Sequence, residues 1–156
     1  MTKIRRAADA DVAAIVRLLD GPGVVEWWGA NTPADVREEL ADSFVVLAGD
    51  EVIGWLQFHE ETEPEWRFVS FDIAIADAHA GQGHGRAALR LAARHFIERG
   101  HHRFTIDPAL ANEAAIRCYT AVGFQPVGRL RRYEILPDGS YRDGLLMELL
   151  ADELRA

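Results

Sequence analysis

Apolar and polar residues along the chain follow two different periods, one typical of strands and one typical of helices. A short first strand is predicted at Lys3–Arg6. The segment 9–20 then has the period of an amphipathic helix, with Asp9 as its candidate cap and an apolar face formed by Val12, Ile15, Val16 and Leu19. Glycine and proline at 21–23 end this helix, and the segment 24–29 is expected to be a loop between helices.

Thr32 and Pro33 predict a second short helix that extends to about Ala41, because threonine caps helix starts and proline is favoured in the first turn. Runs rich in β-branched and aromatic residues follow, and they predict three strands, Ser43–Ala48, Val52–His59 and Arg67–Ile75. The Gly-Asp-Glu sequence after the first of these strands is typical of a hairpin turn.

The second half of the chain alternates helices with strands. Helices are predicted from Gly83 to about Arg99 and from Asn112 to Val122, each followed by a glycine. Strands are predicted at Arg103–Asp107, Gln125–Leu136 and Tyr141–Leu149, the last two joined by a Pro-Asp-Gly turn. This order of elements indicates a mixed α/β sheet.

Composition narrows the class of protein. The chain has 156 residues, 49% of them hydrophobic, which suits a single globular domain over residues 1–156. No apolar run is long enough to span a membrane and the first residues do not resemble a signal peptide, so a cytoplasmic protein is expected. The single cysteine, Cys118, excludes an internal disulfide and a thiolate zinc cluster. The histidine spacing suggests no metal site, and His101 and His102 are expected at the surface.

The formal net charge of −8 bears on partners. A surface of this sign repels phosphate backbones and anionic lipid, and it concentrates cations near an acid-lined cleft. The composition therefore argues against nucleic acid and membrane as partners, and it favours a cationic small molecule. Either a monomer or a homodimer is compatible with the sequence.

The segment 77–86 carries a candidate phosphate site. It joins a predicted strand to a predicted helix, and its alternating glycines expose backbone N–H groups at the helix N-terminus. The spacing of these glycines does not match the G-x-G-x-x-G pattern of dinucleotide-binding folds. From the residues alone, a flexible turn remains the other interpretation.

A second motif, Asn112 to Phe124, combines a polar helix start, an apolar face, a tyrosine near the helix end and a Gly-Phe exit. Together with the glycine loop it resembles the GCN5-related N-acetyltransferase superfamily over nearly the whole chain. The resemblance implies a mostly antiparallel central sheet of six to seven strands, flanked by about four helices. It also implies acetyl-coenzyme A as co-substrate, with no metal.

The resemblance assigns roles to particular positions. It implies that the pyrophosphate binds to the loop residues Gln82, Gly83, His84, Gly85 and Arg86. It also implies that Asn112 contacts the cofactor arm, that Tyr119 stands near the thioester sulfur, and that the pantetheine pairs with the backbone of Ile73, Ala74 and Ile75. One position departs from the family pattern. Ala80 replaces the usual Gln or Arg, so His79 or Arg86 is expected to help hold the phosphates.

Three further features resemble the aminoglycoside 6′-N-acetyltransferases: the segments 25–29 and 71–73, and the segment 106–112 taken together with 116–119. This narrower resemblance implies that Trp27 and Trp28 wall the acceptor site and that Asp72 and Asp107 face the acceptor's amines. Adjacent tryptophans on a regular element point in different directions, so one is expected to pack inward and the other to line the cleft. An Asp-Pro turn at Asp107 and a solvated strand face at Asp72 are the structural alternatives.

The implied chemistry suits these residue types. A neutral amine attacks the thioester carbonyl, a backbone N–H stabilises the developing oxyanion, and Tyr119 protonates the departing thiolate. Asp72 and Asp107 pair with ammonium groups, and either carboxylate can accept the proton that the amine loses. For Tyr119, a core tyrosine is the structural alternative. Other acceptors remain open: a siderophore lysine or hydroxylysine, a polyamine, or a protein amine. A non-catalytic acetyl-coenzyme A sensor is the alternative from another class.

Overall fold

The computed structural model describes all residues from Met1 to Ala156. The chain packs into two compact units, one formed by residues 1–59 and 71–92 and the other by residues 60–70 and 93–156. It contains seven strands and five α-helices, and the seven strands form a sheet. The predicted mixed α/β architecture is confirmed, whereas the single-domain assignment stays a prediction.

The elements follow in the predicted order, with one helix more than the four expected. In chain order they are β1 Thr2–Arg6, α1 Val12–Leu19, α2 Pro22–Trp28, α3 Pro33–Glu39, β2 Ser43–Ala48, β3 Glu51–Glu61, β4 Phe68–Ile75, α4 His84–Glu98, β5 Arg103–Ile106, α5 Glu113–Val122, β6 Gln125–Ile135 and β7 Tyr141–Leu150. No helix is both long and apolar enough to cross a membrane.

In the first unit, an antiparallel ladder runs from β1 through β2 to β3. Thr2 lies opposite Ala48 and Arg6 opposite Phe44, and the β2–β3 register shifts after Val46. The helices α1, α2 and α3 cover this ladder, because each places an apolar face on one core cluster. The fully or almost fully buried members of that cluster are Val12, Ile15, Leu18, Leu19, Val24, Val36, Val45, Trp55 and Ala74.

In the second unit, β7 lies between β5 and β6 and is antiparallel to both. Alternate residues of β5 and β7 are buried, as a strand with one apolar face requires: Phe104, Ile106, Met147 and Leu149. Strand β6 is exposed along almost its whole length. Its register with β7 shifts twice, between Pro126 and Gly128 and between Leu130 and Glu134.

The prediction of a loop after α1 is wrong, because residues 22–28 form helix α2. Pro22 occupies the first turn, where proline needs no N–H partner, and Val24 faces the core with 5% exposure. With two full turns and one buried aliphatic residue, the helix carries too little periodicity to be recognised from the sequence.

His101 also departs from its predicted surface position. It is 2% exposed, and its Nε2 lies 2.7 Å from an Oε2 of Glu60. The interaction with His101, supported by Arg99 and Arg67, holds the pKa of the Glu60 carboxyl below its ordinary value. The pair joins two segments of the second unit that lie 41 positions apart in the sequence.

A charged pair fixes the turn that leads into α1. Both guanidinium nitrogens of Arg5 donate to the Asp11 carboxylate, at 2.8 and 2.9 Å, and the Ala8 N–H donates to Asp11 Oδ2 at 2.8 Å. Asp11 is buried, so its charge is stabilised by these donors and not by water. The Arg5 hydrogen bonds, with the Ala8 N–H, hold the pKa of the Asp11 carboxyl below its usual range.

Replacing Asp11→Asn is expected to lower the free energy of unfolding at pH 7 by about 1–2 kcal/mol, because a two-pronged charge-assisted contact is lost. The folded pKa lies below the unfolded one, so this contribution is complete above about pH 4 and is lost as the pH falls through the folded pKa. The wild-type and variant stabilities should therefore converge in acid. Urea titrations from pH 3 to 7 measure this, with the exposed Asp9→Asn as control. A constant difference across the range would contradict the assignment.

Candidate active site

The first unit contains a cleft of about 520 Å³, here called the tryptophan cleft. Its lining consists of two indoles, two amides and two carboxylates, contributed by Trp27, Trp28, Asn31, Glu39, Gln57 and Asp72. Three of the residues predicted for the acceptor site, Trp27, Trp28 and Asp72, therefore meet in one cavity. No basic side chain lines it, so its electrostatic potential favours cations.

Both tryptophans line the cleft, although only one was expected to do so. They end α2, and Trp28 also packs against the core cluster, with its ring centroid 6.0 Å from that of the buried Trp55. The Asn31 amide donates to the backbone carbonyls of Trp28 and Gly29, at 3.4 and 3.2 Å. These two hydrogen bonds hold the last turn of α2, and hence the indoles, at the cleft wall.

Asn31, Glu39 and Gln57 were missed in the sequence. Gln57 lies two positions after Trp55 on β3, so the two side chains share one face of the strand. This spacing is the only sequence signal that could have identified Gln57 as a site residue. Asn31 follows α2, whose helical state was itself missed, and Glu39 ends α3 on an exposed position. Neither of these two carries a motif that distinguishes it from a solvated residue.

The loop after β4 is tied to the start of α2 by Asp77. The Gly23 N–H donates to Asp77 Oδ2 at 3.1 Å, at the positive end of the short helix. A β-carbon at residue 23 would lie only 2.5 Å from Asp77 Oδ1, so the close approach requires glycine. The helix that carries the tryptophans and the loop that carries the predicted phosphate site thus share one anchor.

The glycine loop has the geometry that a pyrophosphate site needs. Gly81 and Gly83 have positive φ angles of 72° and 86°, and the space beside Gly81 is open. The first backbone hydrogen bond of α4 runs from Ala87 to Gly83, so the N–H groups of residues 83–86 precede the regular helical pattern. An anion placed there would be stabilised by these donors and by the dipole of a 15-residue helix.

Arg86 and His79, the two side chains expected to help hold the phosphates, differ in their surroundings. Arg86 is exposed, and its guanidinium lies beside Gly83, 3.8 Å from where a β-carbon would be. His79 instead faces Glu51, with Nε2 3.6 Å from the carboxylate, and His84 shares a hydrogen bond of 2.9 Å with the Thr2 hydroxyl. Of the two alternatives to the family's Gln or Arg, the geometry favours Arg86. Gln82 is exposed and bonds to the Ala78 carbonyl.

The end of β4 lies against β3. The Ala76 N–H donates to the Ile53 carbonyl at 2.8 Å, and the Ala74 carbonyl passes within 2.8 Å of where a side chain at Gly54 would begin. Ala74 is buried, and Ile73 and Ile75 are half-buried. The backbone predicted to pair with pantetheine is therefore held on one side by β3.

In the second unit, Asn112 caps α5. Its side-chain oxygen accepts a hydrogen bond from the Ala115 N–H at 3.2 Å, which orients the side chain at the first turn. Tyr119 lies near the other end of α5, 7% exposed, with its ring 6.3 Å from that of Phe124. The Tyr119 carbonyl accepts from both Gly123 and Phe124.

Asp107 directly follows β5 and precedes Pro108, whose carbonyl accepts from the Leu145 N–H at 2.9 Å. The Tyr133 hydroxyl donates a hydrogen bond to the Asp107 carboxylate. Asp107 is thus held by more than the Asp-Pro turn foreseen as its structural alternative. Tyr133 was not predicted as a site residue. It lies at a register shift of β6, which no local sequence motif indicates.

No group of three or more His, Cys, Asp or Glu side chains is arranged to hold a metal ion. The polar groups described above are instead acids, amides, backbone N–H groups and phenols. These can bind an anion at the glycine loop, bind cations at the tryptophan cleft, and transfer protons.

The sequence model of the acetyltransferase (GNAT) family matches residues 14–124 of the chain. The chain belongs to this family. It is 29% identical to an aminoglycoside N(6′)-acetyltransferase type 1 of Klebsiella pneumoniae, over 87% of this chain and 78% of the relative. This acetyltransferase therefore uses acetyl-coenzyme A to acetylate an amine, and the predicted family and co-substrate are confirmed.

Solved structures agree with the family. A complex of the aminoglycoside acetyltransferase AAC(6′)-Ib with coenzyme A superimposes with a TM-score of 0.78, at 26% identity, and the match covers 98% of this chain and 96% of that one. A spermidine N-acetyltransferase from Vibrio cholerae, in complex with coenzyme A and spermine, matches with a TM-score of 0.82 at 24% identity. This match covers 97% of this chain and 96% of the spermidine N-acetyltransferase chain. At this identity it supports the fold alone.

The two tryptophans of the acetyltransferase should respond differently to truncation. Trp28→Ala removes the contact with Trp55 and part of the core packing, so we expect the free energy of unfolding to fall by about 2–3 kcal/mol. Trp27→Ala, at the neighbouring cleft position, should cost less than about 1 kcal/mol, because Trp27 is not packed against that core cluster. Urea unfolding followed by circular dichroism measures both. Equal losses would show that the two indoles share the anchoring role.

Proposed function

We propose that this acetyltransferase moves the acetyl group of acetyl-coenzyme A to a primary amine of a cationic small molecule, with the 6′-amine of an aminoglycoside as the leading acceptor. The observation that carries the proposal is the tryptophan cleft. Two carboxylates, Glu39 and Asp72, line it together with two indoles, and no basic side chain does.

The chemistry of an aminoglycoside fits this cleft. Its several ammonium groups need carboxylate partners, and its sugar rings need apolar platforms. Trp27 and Trp28 supply such platforms, and Asn31 and Gln57 can bond hydroxyl groups. The relationship to the Klebsiella aminoglycoside N(6′)-acetyltransferase points to the same class of acceptor.

The remaining assignments complete the reaction. Residues 82–86 hold the pyrophosphate of acetyl-coenzyme A, Asn112 contacts the cofactor arm, and the backbone of residues 73–75 pairs with the pantetheine. Asp72 and Asp107 bind the acceptor, and one of them accepts the proton that the ammonium loses before attack. The amine nitrogen attacks the thioester carbon, and the carbon–sulfur bond breaks as the Tyr119 hydroxyl gives its proton to the departing sulfur. The new amide nitrogen releases its extra proton, which restores the Tyr119 hydroxyl.

The acceptor is tested by thiol release from acetyl-coenzyme A at low salt. Kanamycin and tobramycin are compared with lysine, polyamines and a peptide panel. We expect rapid turnover with aminoglycosides that carry a 6′-amine and none with an analogue that carries a 6′-hydroxyl. Turnover only with a polyamine, lysine or a peptide would reassign the acceptor. Binding of acetyl-coenzyme A without turnover of any amine would favour a sensor.

Tyr119→Phe tests the proton donor. Because a positioned general acid contributes about 100-fold or more, kcat is expected to fall by about that factor. The affinity for acetyl-coenzyme A, measured by calorimetry, should stay within about twofold, since the phenyl ring preserves the packing against Phe124. A thermal melt confirms that the variant is folded. An unchanged kcat would remove Tyr119 from the mechanism.

A further inference from the structure

The contact between Tyr133 and Asp107 has no counterpart among the assigned roles. Tyr133 is 54% exposed, yet its hydroxyl donates to the one carboxylate of the second unit that is proposed to bind the acceptor. It comes from β6, a strand that contributes almost nothing to the core. An exposed tyrosine hydroxyl can be solvated by water, so the contact depends on the backbone that holds Tyr133 in place.

The backbone around Tyr133 is built to present it. The register between β6 and β7 shifts between Leu130 and Glu134, which leaves residues 131–133 outside the ladder. Arg132 adopts a φ of +50°, the only positive value outside glycine in the protein. This conformation is stabilised by its N–H, which donates to Asp143 Oδ1 at 2.7 Å.

Asp143 anchors the same bulge from β7. The Arg129 guanidinium donates to its other carboxylate oxygen. The Arg132 N–H and Arg129 together hold the pKa of the Asp143 carboxyl below its ordinary value. The bulge is therefore pinned by a carboxylate that stays charged, and the side chain of Tyr133 is directed by that anchor.

The ring of Tyr133 crosses β7 at a residue without a side chain. A β-carbon at Gly144 would lie 2.8 Å from Cδ2 of the ring, closer than a real contact allows. The ring can reach Asp107 by this path only because residue 144 is glycine. The bulge, which Asp143 anchors, and the glycine at residue 144 thus both support this one hydrogen bond.

We propose that Tyr133 is a positioning residue for the amine acceptor. Its hydroxyl occupies one oxygen of Asp107 and fixes the carboxylate orientation, so that the remaining acceptor capacity faces the ammonium group. Its ring forms a wall of the subsite around that carboxylate. The proposal rests on the proposed function, because it takes Asp107 as an acceptor-binding group.

Loss of the Tyr133 hydroxyl should change the KM for the amine acceptor and not the KM for acetyl-coenzyme A. Without the hydroxyl the carboxylate can rotate, so each binding event must order it again. We therefore expect Tyr133→Phe to raise KM for the amine about five- to tenfold, the equivalent of one hydrogen bond. KM for acetyl-coenzyme A should stay within about twofold, and kcat should change less than the amine KM.

The experiment compares the wild type with five variants on the best amine from the acceptor panel. Tyr141→Phe is the matched control, because Tyr141 is equally exposed at 54%, lies on the same hairpin, and stacks under Arg132 in a way that a phenyl ring preserves. It should match the wild type. Asp107→Asn should raise the amine KM, and adding Tyr133→Phe to it should raise that KM no further, because the carboxylate that Tyr133 orients is already gone.

Gly144→Ala displaces the ring without removing the hydroxyl, and it should reproduce the amine KM of Tyr133→Phe. A thermal melt shows that each variant is folded. If Asp107→Asn raises the amine KM while Tyr133→Phe behaves like Tyr141→Phe, the role of Tyr133 is overturned and the proposed function stands. If additivity is found in the double variant, Tyr133 acts independently of Asp107, which also overturns it. If the wild type acetylates no amine, the proposed function fails and this proposal with it.

Discussion

The carboxylate of Asp77 is the constraint on which the first unit's site depends. It accepts the Gly23 N–H at the first turn of α2, at a distance that permits no side chain on residue 23. Asp77 also belongs to the turn that leads from β4 into the glycine loop. One hydrogen bond to a carboxylate therefore joins the helix that carries the tryptophans to the loop that is proposed to bind phosphate.

The sites proposed for the cofactor and for the acceptor have opposite electrostatic potentials. At the glycine loop, backbone N–H groups and Arg86 supply positive potential without any buried charge. At the tryptophan cleft, Glu39 and Asp72 supply negative potential. An anionic cofactor and a cationic acceptor are thus each matched by sign, which discourages either from occupying the place of the other.

Much of the fold could be predicted because its elements are periodic. The strand Ser43–Ala48 was placed without error, and the ends of the long helices α4 and α5 fall within a residue of their predicted limits. Helix α2 could not be predicted, since its two turns are held by tertiary contacts, with Asp77 and, through Val24 and Trp28, with the core cluster. His101 was misplaced for the same reason, because its burial depends on Glu60, far away in the sequence.

The site was predictable where a residue belongs to a motif and not where it depends on register. Trp27, Trp28 and Asp72 were identified from their segments, and the structure places them in one cleft. Gln57 and Tyr133 were not, because strand phase and a bulge decide where those side chains point.

The β6–β7 hairpin joins high exposure to direct contact with a proposed acceptor carboxylate. A substitution at the exposed Tyr133 alters what surrounds Asp107 while it leaves the apolar interior untouched. Under the proposed role of Asp107, the range of acceptors can therefore change through this segment at little risk to folding, because the residues proposed to bind the acceptor here are not those that form the core. Under the proposed roles, a change of substrate preference through this hairpin costs little stability, because β6 contributes almost nothing to the core.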